Sequence, residues 1–366
     1  MGCFFMKVCV YAICKNEEQF VDRFMDSMQE ADYICVLDTG STDSTVEKLR
    51  ARGAIVAQKV ITPWRFDAAR NESMKLIPPD ADICCCIDLD EQFHPGWRRA
   101  IELAWQEDTT RARYRYTWSF NPDGSEGVVF WSDKVHKNGC YRWVGPVHEI
   151  LNYIGEDSEH FVCADGVQLD HHPDLSKSRG QYLPLLELAV AEDPENDRNC
   201  HYLGREYMYR GEWNKAIIVL QRHLTLPKAT WPDERCASMR FIARCYRALG
   251  RDDLSAVWLH RAIGEAPHLR EPYLDFAELL FDQHDWYGLA YMASCALAIR
   301  ERPRSYICEA YAWGSLPYDY LSIACAHLGQ AAKAIDAAEK AIELAPQEER
   351  LKNNLKIFQE MQHSGA

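Results

Sequence analysis

Apolar and polar positions change period repeatedly along the first half of the chain. Residues 7–14 (Lys-Val-Cys-Val-Tyr-Ala-Ile-Cys) form a near-continuous apolar run of strand length, which predicts a buried strand. After Lys15-Asn16-Glu17-Glu18, the apolar positions Phe20, Phe24 and Met28 recur at helical spacing. Residues 33–37 predict a second strand, followed by a sharp turn that Gly40 permits and a helix over 46–52 capped by Asp43 or Ser44. A third strand over 54–60, a helix over 66–76 and a fourth strand ending at Asp88 continue the series. Such alternation implies a mainly parallel sheet with helices on both faces. Beyond it, residues 92–96 read as a loop and 96–105 as a helix. Residues 111–119 and 128–131 read as the strands of a hairpin around the turn cluster 121–125, and 167–173 as a short strand stopped by Pro173.

From Gln181 onward the pattern is helical. Segments 202–227, 241–267, 273–303 and 320–346 share an aromatic-led helix and a second helix running into a proline. Gly211, Gly250 and Gly329 mark the turns, and the third segment lacks the glycine. The pattern resembles tetratricopeptide repeats, whose period is ~34 residues. A single hairpin cannot bury its apolar face, so such units stack. A last helix over 348–361 carries Leu351, Leu355 and Phe358, a stripe that caps the array or pairs with another chain. The expected domains are 1–178, α/β, and 179–366, all-α.

Composition narrows the function. With 366 residues, 47% hydrophobic and 26% charged, the chain reads as an ordinary soluble protein of two or three domains. A net charge of −14 argues against a phosphate-backbone binder, so no nucleic-acid partner is expected. No apolar run has the length of a membrane span. Residues 1–10 lack the charged flank and cleavage site of a signal peptide, and Met6 breaks the pattern that would make Gly2 a myristoylation site. The 15 cysteines are scattered with no Cys-x-x-Cys pair, which suits buried thiols in a reducing cytoplasm.

The chemistry centres on Ile83-Cys84-Cys85-Cys86-Ile87-Asp88-Leu89-Asp90-Glu91. In extended backbone, Asp88 and Asp90 face the same side at the carboxyl end of a buried strand, where open α/β sheets bind ligands. Such close carboxylates repel unless a cation sits between them, and Mg²⁺ or Mn²⁺ commonly bridges carboxylates to substrate phosphates. The chain has neither Gly-x-Gly-x-x-Gly nor Gly-x-x-x-x-Gly-Lys, so phosphates must be met another way, and such a metal supplies one.

Four stretches, Ile13-Cys14-Lys15-Asn16-Glu17-Glu18, Val36-Leu37-Asp38-Thr39-Gly40-Ser41-Thr42-Asp43, Trp64-Arg65-Phe66-Asp67-Ala68-Ala69-Arg70-Asn71 and Ile87-Asp88-Leu89-Asp90-Glu91, occur in an order and spacing similar to the family 2 glycosyltransferases. The resemblance covers roughly the first hundred residues and rests on several motifs rather than one. It implies a GT-A fold (Rossmann-like) and a nucleotide-sugar donor, a UDP-sugar first, with Mn²⁺ or Mg²⁺. By position it implies that Ile13, Lys15 and Glu17 line the base and ribose, Asp38 bonds the base, Arg70 lies near the nucleotide, Asp88 contacts the ribose and Asp90 binds the metal. The alternative for Asp38 is a turn residue bonding its own backbone, and for Arg70 a surface ion pair.

On the acceptor side, Trp143 offers a face for a sugar ring. Inverting transfer needs a base, and Glu149 is the candidate, with His148 orienting it or touching the donor phosphates and Asp133 in reserve. A structural His148–Glu149 pair is the alternative. By resemblance, His171, or else His172, completes the metal shell from a late strand. The expected acceptor is a peptide, protein or glycan, with the repeats binding it or forming a homodimer. A nucleotidyltransferase and a non-catalytic repeat scaffold are the rival readings.

Overall fold

The computed structural model describes residues 6–121, 124–174 and 180–364. The readings on residues 1–5, on Pro122 and Asp123, and on the 178/179 boundary lie outside these. The chain divides into two compact units, Met1–Ala189 and Val190–Ala366.

In the first unit the chain runs β1 (Val8–Cys14), α1 (Val21–Ser27), β2 (Tyr33–Asp38), α2 (Thr45–Ala51), β3 (Ile55–Gln58), α3 (Phe66–Met74) and β4 (Ile83–Cys86). It continues through β5 (Glu91–Phe93), α4 (Trp97–Ala104), β6 (Arg111–Thr117), β7 (Val129–Lys137), β8 (Tyr141–Val144), β9 (Ile150–Tyr153), β10 (Phe161–His171) and α5 (Tyr182–Glu192). The division between units falls within α5. Eight strands form one sheet in the order β3-β2-β1-β4-β7-β6-β10-β5, and β8 pairs with β9 separately. Only β7 and β5 oppose the direction of the other strands. The sheet is therefore mixed but mostly of one sense, and the carboxyl ends of β1, β2, β4, β6 and β10 meet at one edge.

Period-two alternation places the core on both faces. Val8, Val10 and Ala12 of β1 pack with Phe24 and Met28, Leu49, Trp97 and Ile101. Cys9 and Tyr11 face the other way, onto Cys35, Cys84, Cys86, Tyr141 and Trp143. Cysteine serves here as a small buried apolar residue, and the 14 described cysteines are all unpaired.

Two expectations change. Residues 92 and 93 are not loop but part of strand β5, paired antiparallel with β10 so that Leu169 opposes Phe93. Phe93 is buried against Trp97, their rings 4.6 Å apart, which gives a three-residue strand its reason to stay. The fourth strand also ends early: the Glu91 N–H donates to the Asp88 carbonyl at 3.0 Å, so Asp88 and Asp90 sit in a turn rather than in extended backbone.

The second unit is built from helical hairpins: α6 (Asp197–Tyr209) with α7 (Trp213–His223), α8 (Pro232–Ala248) with α9 (Asp252–Glu265), α10 (Glu271–Asp282) with α11 (Trp286–Ala298), and α12 (Leu316–His327) with α13 (Ala331–Leu344), then α14 (Glu349–Ser364). The first helix of each pair ends in one motif. The amide two residues past the cap donates back five positions: Glu212 to Tyr207, Arg251 to Tyr246, Asp285 to Leu280 and Gln330 to Cys325, at 2.8–2.9 Å. The residue between must be left-handed. Gly211, Gly250 and Gly329 have φ of 74°, 70° and 71°, and in the third hairpin His284 takes the place with φ 57°. The missing glycine thus changes the residue but not the turn.

Irregular spacing also has a cause. The segment 299–315 separates the third and fourth hairpins. The Arg270 guanidinium pins it by donating to the Ile299 and Ala312 carbonyls while lying 3.9 Å over the Trp313 ring. In α14, Leu351 and Phe358 are buried, so the stripe caps the array within this chain. No described helix is long and apolar enough to cross a membrane.

Left-handed backbone costs a residue with a Cβ roughly 1–2 kcal/mol. His284→Gly is therefore expected to raise the stability of the helical unit by about 1 kcal/mol, net of the ring contact with Trp286. Gly250→Ala, whose added Cβ meets nothing within 4 Å, should lower it by a similar amount. Thermal midpoints of the two variants against the parent chain check both signs.

Candidate active site

The loops after β1 and β2 form one laced pad at the carboxyl edge. Asn16 is left-handed at φ 55°. Its amide donates to Ser41 Oγ, and its Oδ1 accepts from the Thr42 amide, each at 2.8 Å. The Glu17 amide donates to Thr45 Oγ1 at 2.8 Å, and Asp43 accepts from the Glu18 and Thr45 amides. Each polar residue of the Asp38–Thr45 stretch that bonds in this way closes one of the two turns. Asp38 is fully buried and accepts from the Gly40 and Ser41 amides at 3.1–3.2 Å, with Gln58 Nε2 at 3.4 Å. Its carboxylate thus bonds its own turn, as the turn-residue alternative describes. Lys15 is exposed on the pad, and Ile13 and Glu17 are half-buried.

Beside the pad, α3 delivers Arg70 to the end of β4. Its guanidinium donates from Nη1 to Asp88 Oδ1 at 2.8 Å, from Nη2 to Asp88 Oδ2 at 3.0 Å and from Nε to Glu149 Oε1 at 2.6 Å. Nη1 also reaches Cys86 Sγ at 3.2 Å. Arg70 is neither a surface ion pair nor an open donor: its N–H groups go to the protein. The arrangement is charge-assisted and bidentate, the strong form of such contacts. Burial works against the charge on Arg70, yet Asp88 and Glu149 raise its pKa well above the usual value. Burial likewise opposes ionised Asp88, and Arg70 with Lys134 nevertheless holds that carboxyl well below the usual range.

Lys134 of β7 was not foreseen. Its Nζ lies 3.7 Å from both Asp88 Oδ2 and Glu91 Oε1. Glu91 turns inward, where its Oε1 accepts from Tyr116 OH at 2.7 Å and its Oε2 from the Asp88 amide at 2.9 Å. Burial pushes the Glu91 carboxyl up against the pull of Lys134. Arg23 of α1 was also missed. Its Nε and Nη2 are buried without a hydrogen-bond partner among the described residues, and Asp90 acts on it electrostatically. A strand-face lysine and a helix arginine carry no motif, so no local signal could have singled them out.

Asp90 and His171 meet across the edge, Oδ2 to Nε2, at 3.4 Å. The other ring nitrogen, Nδ1, lies 3.0 Å from the Trp118 carbonyl and donates to it, and the Trp118 ring stacks on the imidazole at 4.4 Å. That bond leaves the Nε2 lone pair of the neutral ring turned to Asp90, the arrangement of a metal-ligating histidine. His172 stacks on Phe120 instead, and its amide donates to the Asp90 carbonyl at 2.8 Å. Burial works to lower the His171 pKa, but Asp90, the Trp118 carbonyl and Glu91 together raise it.

The remaining candidates separate. His148 is left-handed at φ 50° and its ring lies against Tyr182, next to the ion-paired Glu149. Glu149 Oε2 has no hydrogen bond among the described residues. Asp133 pairs with Arg111 at 3.2 Å. Trp143 is no sugar platform. The alternation of β8 turns it inward, where it is 2% exposed beneath Arg70, 5.3 Å from ring to guanidinium. Its Nε1 donates to Tyr11 OH at 2.9 Å, Tyr11 OH donates to His136 Nε2 at 2.8 Å, and His136 Nδ1 donates to the Lys137 carbonyl at 3.0 Å. This chain of donors is complete only with a neutral imidazole, and burial pushes His136 down to about 4.

Residues 9–132 match the family model described as "Glycosyl transferase family 2". That span holds Asp38, Arg70, Asp88 and Asp90 but not His148, Glu149 or His171. The chain is 28% identical over 124 residues to "Lipopolysaccharide assembly protein B" of Escherichia coli (strain K12), covering 32% of this chain and 30% of that protein. Among solved structures it is similar to the APC/C hetero-tetramer Cut9-Hcn1, with 14% identity, TM-score 0.39, and 49% and 33% of the two chains covered. It is also similar to glucosyl-3-phosphoglycerate synthase from Mycobacterium tuberculosis in complex with phosphoglyceric acid, with 25% identity, TM-score 0.27, and 31% and 44% covered. The chain thus spans less than half the length of each of these three.

A His whose folded pKa is depressed stabilises the fold fully above its unfolded value of 6.5 and loses that contribution as pH falls toward 4. His136 should therefore withdraw about 3 kcal/mol between pH 6.5 and 4, a loss that His136→Gln should lessen. Its ring resonances in NMR should show no titration between pH 8 and 5; a midpoint near 6.5 would contradict the donor chain.

Proposed function

We infer that this chain, whose residues 9–132 match the glycosyl transferase family 2 model, moves a sugar from a nucleotide-sugar, a UDP-sugar first, onto a peptide, protein or glycan with inversion at C1. The observation that carries this reading is the convergence of Asp90 Oδ2 and His171 Nε2 beside the Asp88–Arg70–Glu149 cluster. One carboxylate and one neutral imidazole, the latter oriented by a backbone carbonyl, fit Mn²⁺ better than Mg²⁺. When bound there, the cation supplies neutralising charge for the departing nucleoside diphosphate.

The chain's own groups do the rest. Arg23, whose Nε and Nη2 are buried without a hydrogen-bond partner among the described residues, offers N–H donors to phosphate oxygens next to Asp90. Lys134 adds positive charge on the Asp88 side. Lys15, Ile13 and Glu17 border the base and ribose from the laced pad, and Asp38 acts by holding that pad closed, with an edge for the base opening only if its turn relaxes. Asp88 faces the ribose while Arg70 keeps it ionised. Glu149 takes the acceptor proton through Oε2, since Oε1 is engaged by Arg70, and His148 lies next to it to orient the acceptor. The helical unit carries a 640 Å³ cleft lined by Arg244, Arg247, Asp275, Glu278, Tyr311 and Tyr320. Its mixture of charge and aromatic faces suits a polar peptide or a glycan, with homodimer formation the alternative use of the repeats. Unpaired buried thiols such as Cys9 and Cys35, 3.7 Å apart, support a cytoplasmic setting.

Titration calorimetry with UDP and Mn²⁺ tests the donor site. Asp90→Ala is expected to remove the metal dependence of UDP binding and to abolish transfer; metal-dependent binding that survives would remove the assignment. Glu149→Gln is expected to leave UDP binding intact and slow transfer by ~10²–10⁴-fold. Near-normal turnover in that variant would move the base elsewhere.

A further inference from the structure

Three helices of the second unit bring together groups that no part of the sugar-transfer reading uses. Asp197 opens α6, His223 closes α7 and Glu234 lies in the first turn of α8. One ligand atom from each lies within 4.8 Å of the others. His223 is fully buried and Glu234 nearly so. His223 Nε2 has no hydrogen-bond partner among the described residues. Glu234 Oε1 is 3.3 Å away, at ion-pair distance but not hydrogen-bonded to it.

Ser238 identifies which nitrogen carries the proton. Its Oγ lies 2.9 Å from His223 Nδ1 and 2.7 Å from His201 Nδ1. A hydroxyl has one proton to give and two lone pairs to accept with, so at least one of the two imidazoles must donate to Ser238. If His223 accepted, its Nε2–H would be left buried and unmet, at the cost of a lost hydrogen bond. If His223 donates from Nδ1, its Nε2 presents a lone pair between two carboxylates. A lone pair facing carboxylates is repulsive unless a cation stands among them. Arg198 also acts on Glu234, yet with neutral imidazoles two carboxylates against one guanidinium leave the cluster acidic.

We propose that Asp197, His223 and Glu234 bind a zinc-class divalent cation that braces α6, α7 and α8. Two carboxylates and an imidazole are a three-ligand set that leaves a further position for water. Ser238 holds the imidazole from behind, as the partners of metal-bound histidines commonly do. Tyr306 donates to Glu234 Oε2 and so steadies the second carboxylate. The ion would join the first hairpin to the start of the second, adding to the hydrogen bonds that Ser238 and Arg235 already make between these repeats.

The test uses the full chain stripped with a chelator, in a His171→Gln background so that the Asp90 site does not contribute. Zinc is then added, and bound metal is measured by mass spectrometry alongside the thermal midpoint. The expected result is one zinc ion per chain and a raised midpoint, both lost on adding His223→Gln. Ser238→Ala should weaken binding by ~10- to 100-fold. Should His223→Gln fail to fold, Asp197→Asn, at a half-exposed position, replaces it and should weaken binding at least ~10-fold. No bound zinc in the His171→Gln chain, or affinity unchanged by these substitutions, overturns the proposal.

Discussion

The buried guanidinium of Arg70 decides whether the acids at the carboxyl edge of the sheet stand together. It joins α3, the end of β4 and the β8–β9 loop through Asp88 and Glu149. Carboxylates in such an enclosed place repel each other and lose hydration. One planar cation with donors in a fixed fork answers both problems, which a lysine could not. Removing one partner of a buried pair typically costs 3–5 kcal/mol, because the remaining charge is stranded. Trp143 gives the guanidinium its floor, and the Trp143–Tyr11–His136 donor chain gives Trp143 its orientation. The floor in turn rests on β1 and β7. Geometry at the edge is therefore set by the middle of the sheet.

The same economy appears in the turns. Asp38, Ser41, Asp43 and Thr45 look like a run of interchangeable small polar residues, yet each has a distinct amide to satisfy on its own turn or on the one after β1. Loops at a binding edge must expose backbone, and backbone left without partners is costly. Lacing two loops to each other gives a firm surface without regular secondary structure. In the helical unit the equivalent device is the left-handed residue after the first helix of each hairpin. Where glycine is absent, His284 accepts the strain and the hydrogen bond across it is unchanged. Backbone satisfaction outweighs the local preference of the residue.

Much of the fold was legible. Strand–helix alternation, the helical spacing of Phe20, Phe24 and Met28, and the repeat pattern after residue 181 reflect periodicities that side-chain direction imposes on any chain. Element boundaries were less so. Residues 92 and 93 look like loop because so short a strand carries no pattern, and they join one only because β10 and Trp97 wait for them. Asp88 and Asp90 were found by their motif, although the turn rather than an extended strand sets their directions.

What the amino-acid order determined alone was the kind of chemistry: acids at strand ends, two histidines before a proline, a glutamate after an aromatic segment. Only the tertiary structure decided who meets whom. Arg70 and Glu149 are 79 positions apart, and Tyr11 and Trp143 are 132 apart. Lys134 and Arg23 enter the site from a strand face and a helix flank that carry no motif, and Trp143 left the acceptor side for the core when strand alternation turned it inward. Local pattern encodes which way a side chain points relative to its own element. The partner it finds depends on how elements distant in the chain are stacked, and that is settled by burial of the whole core.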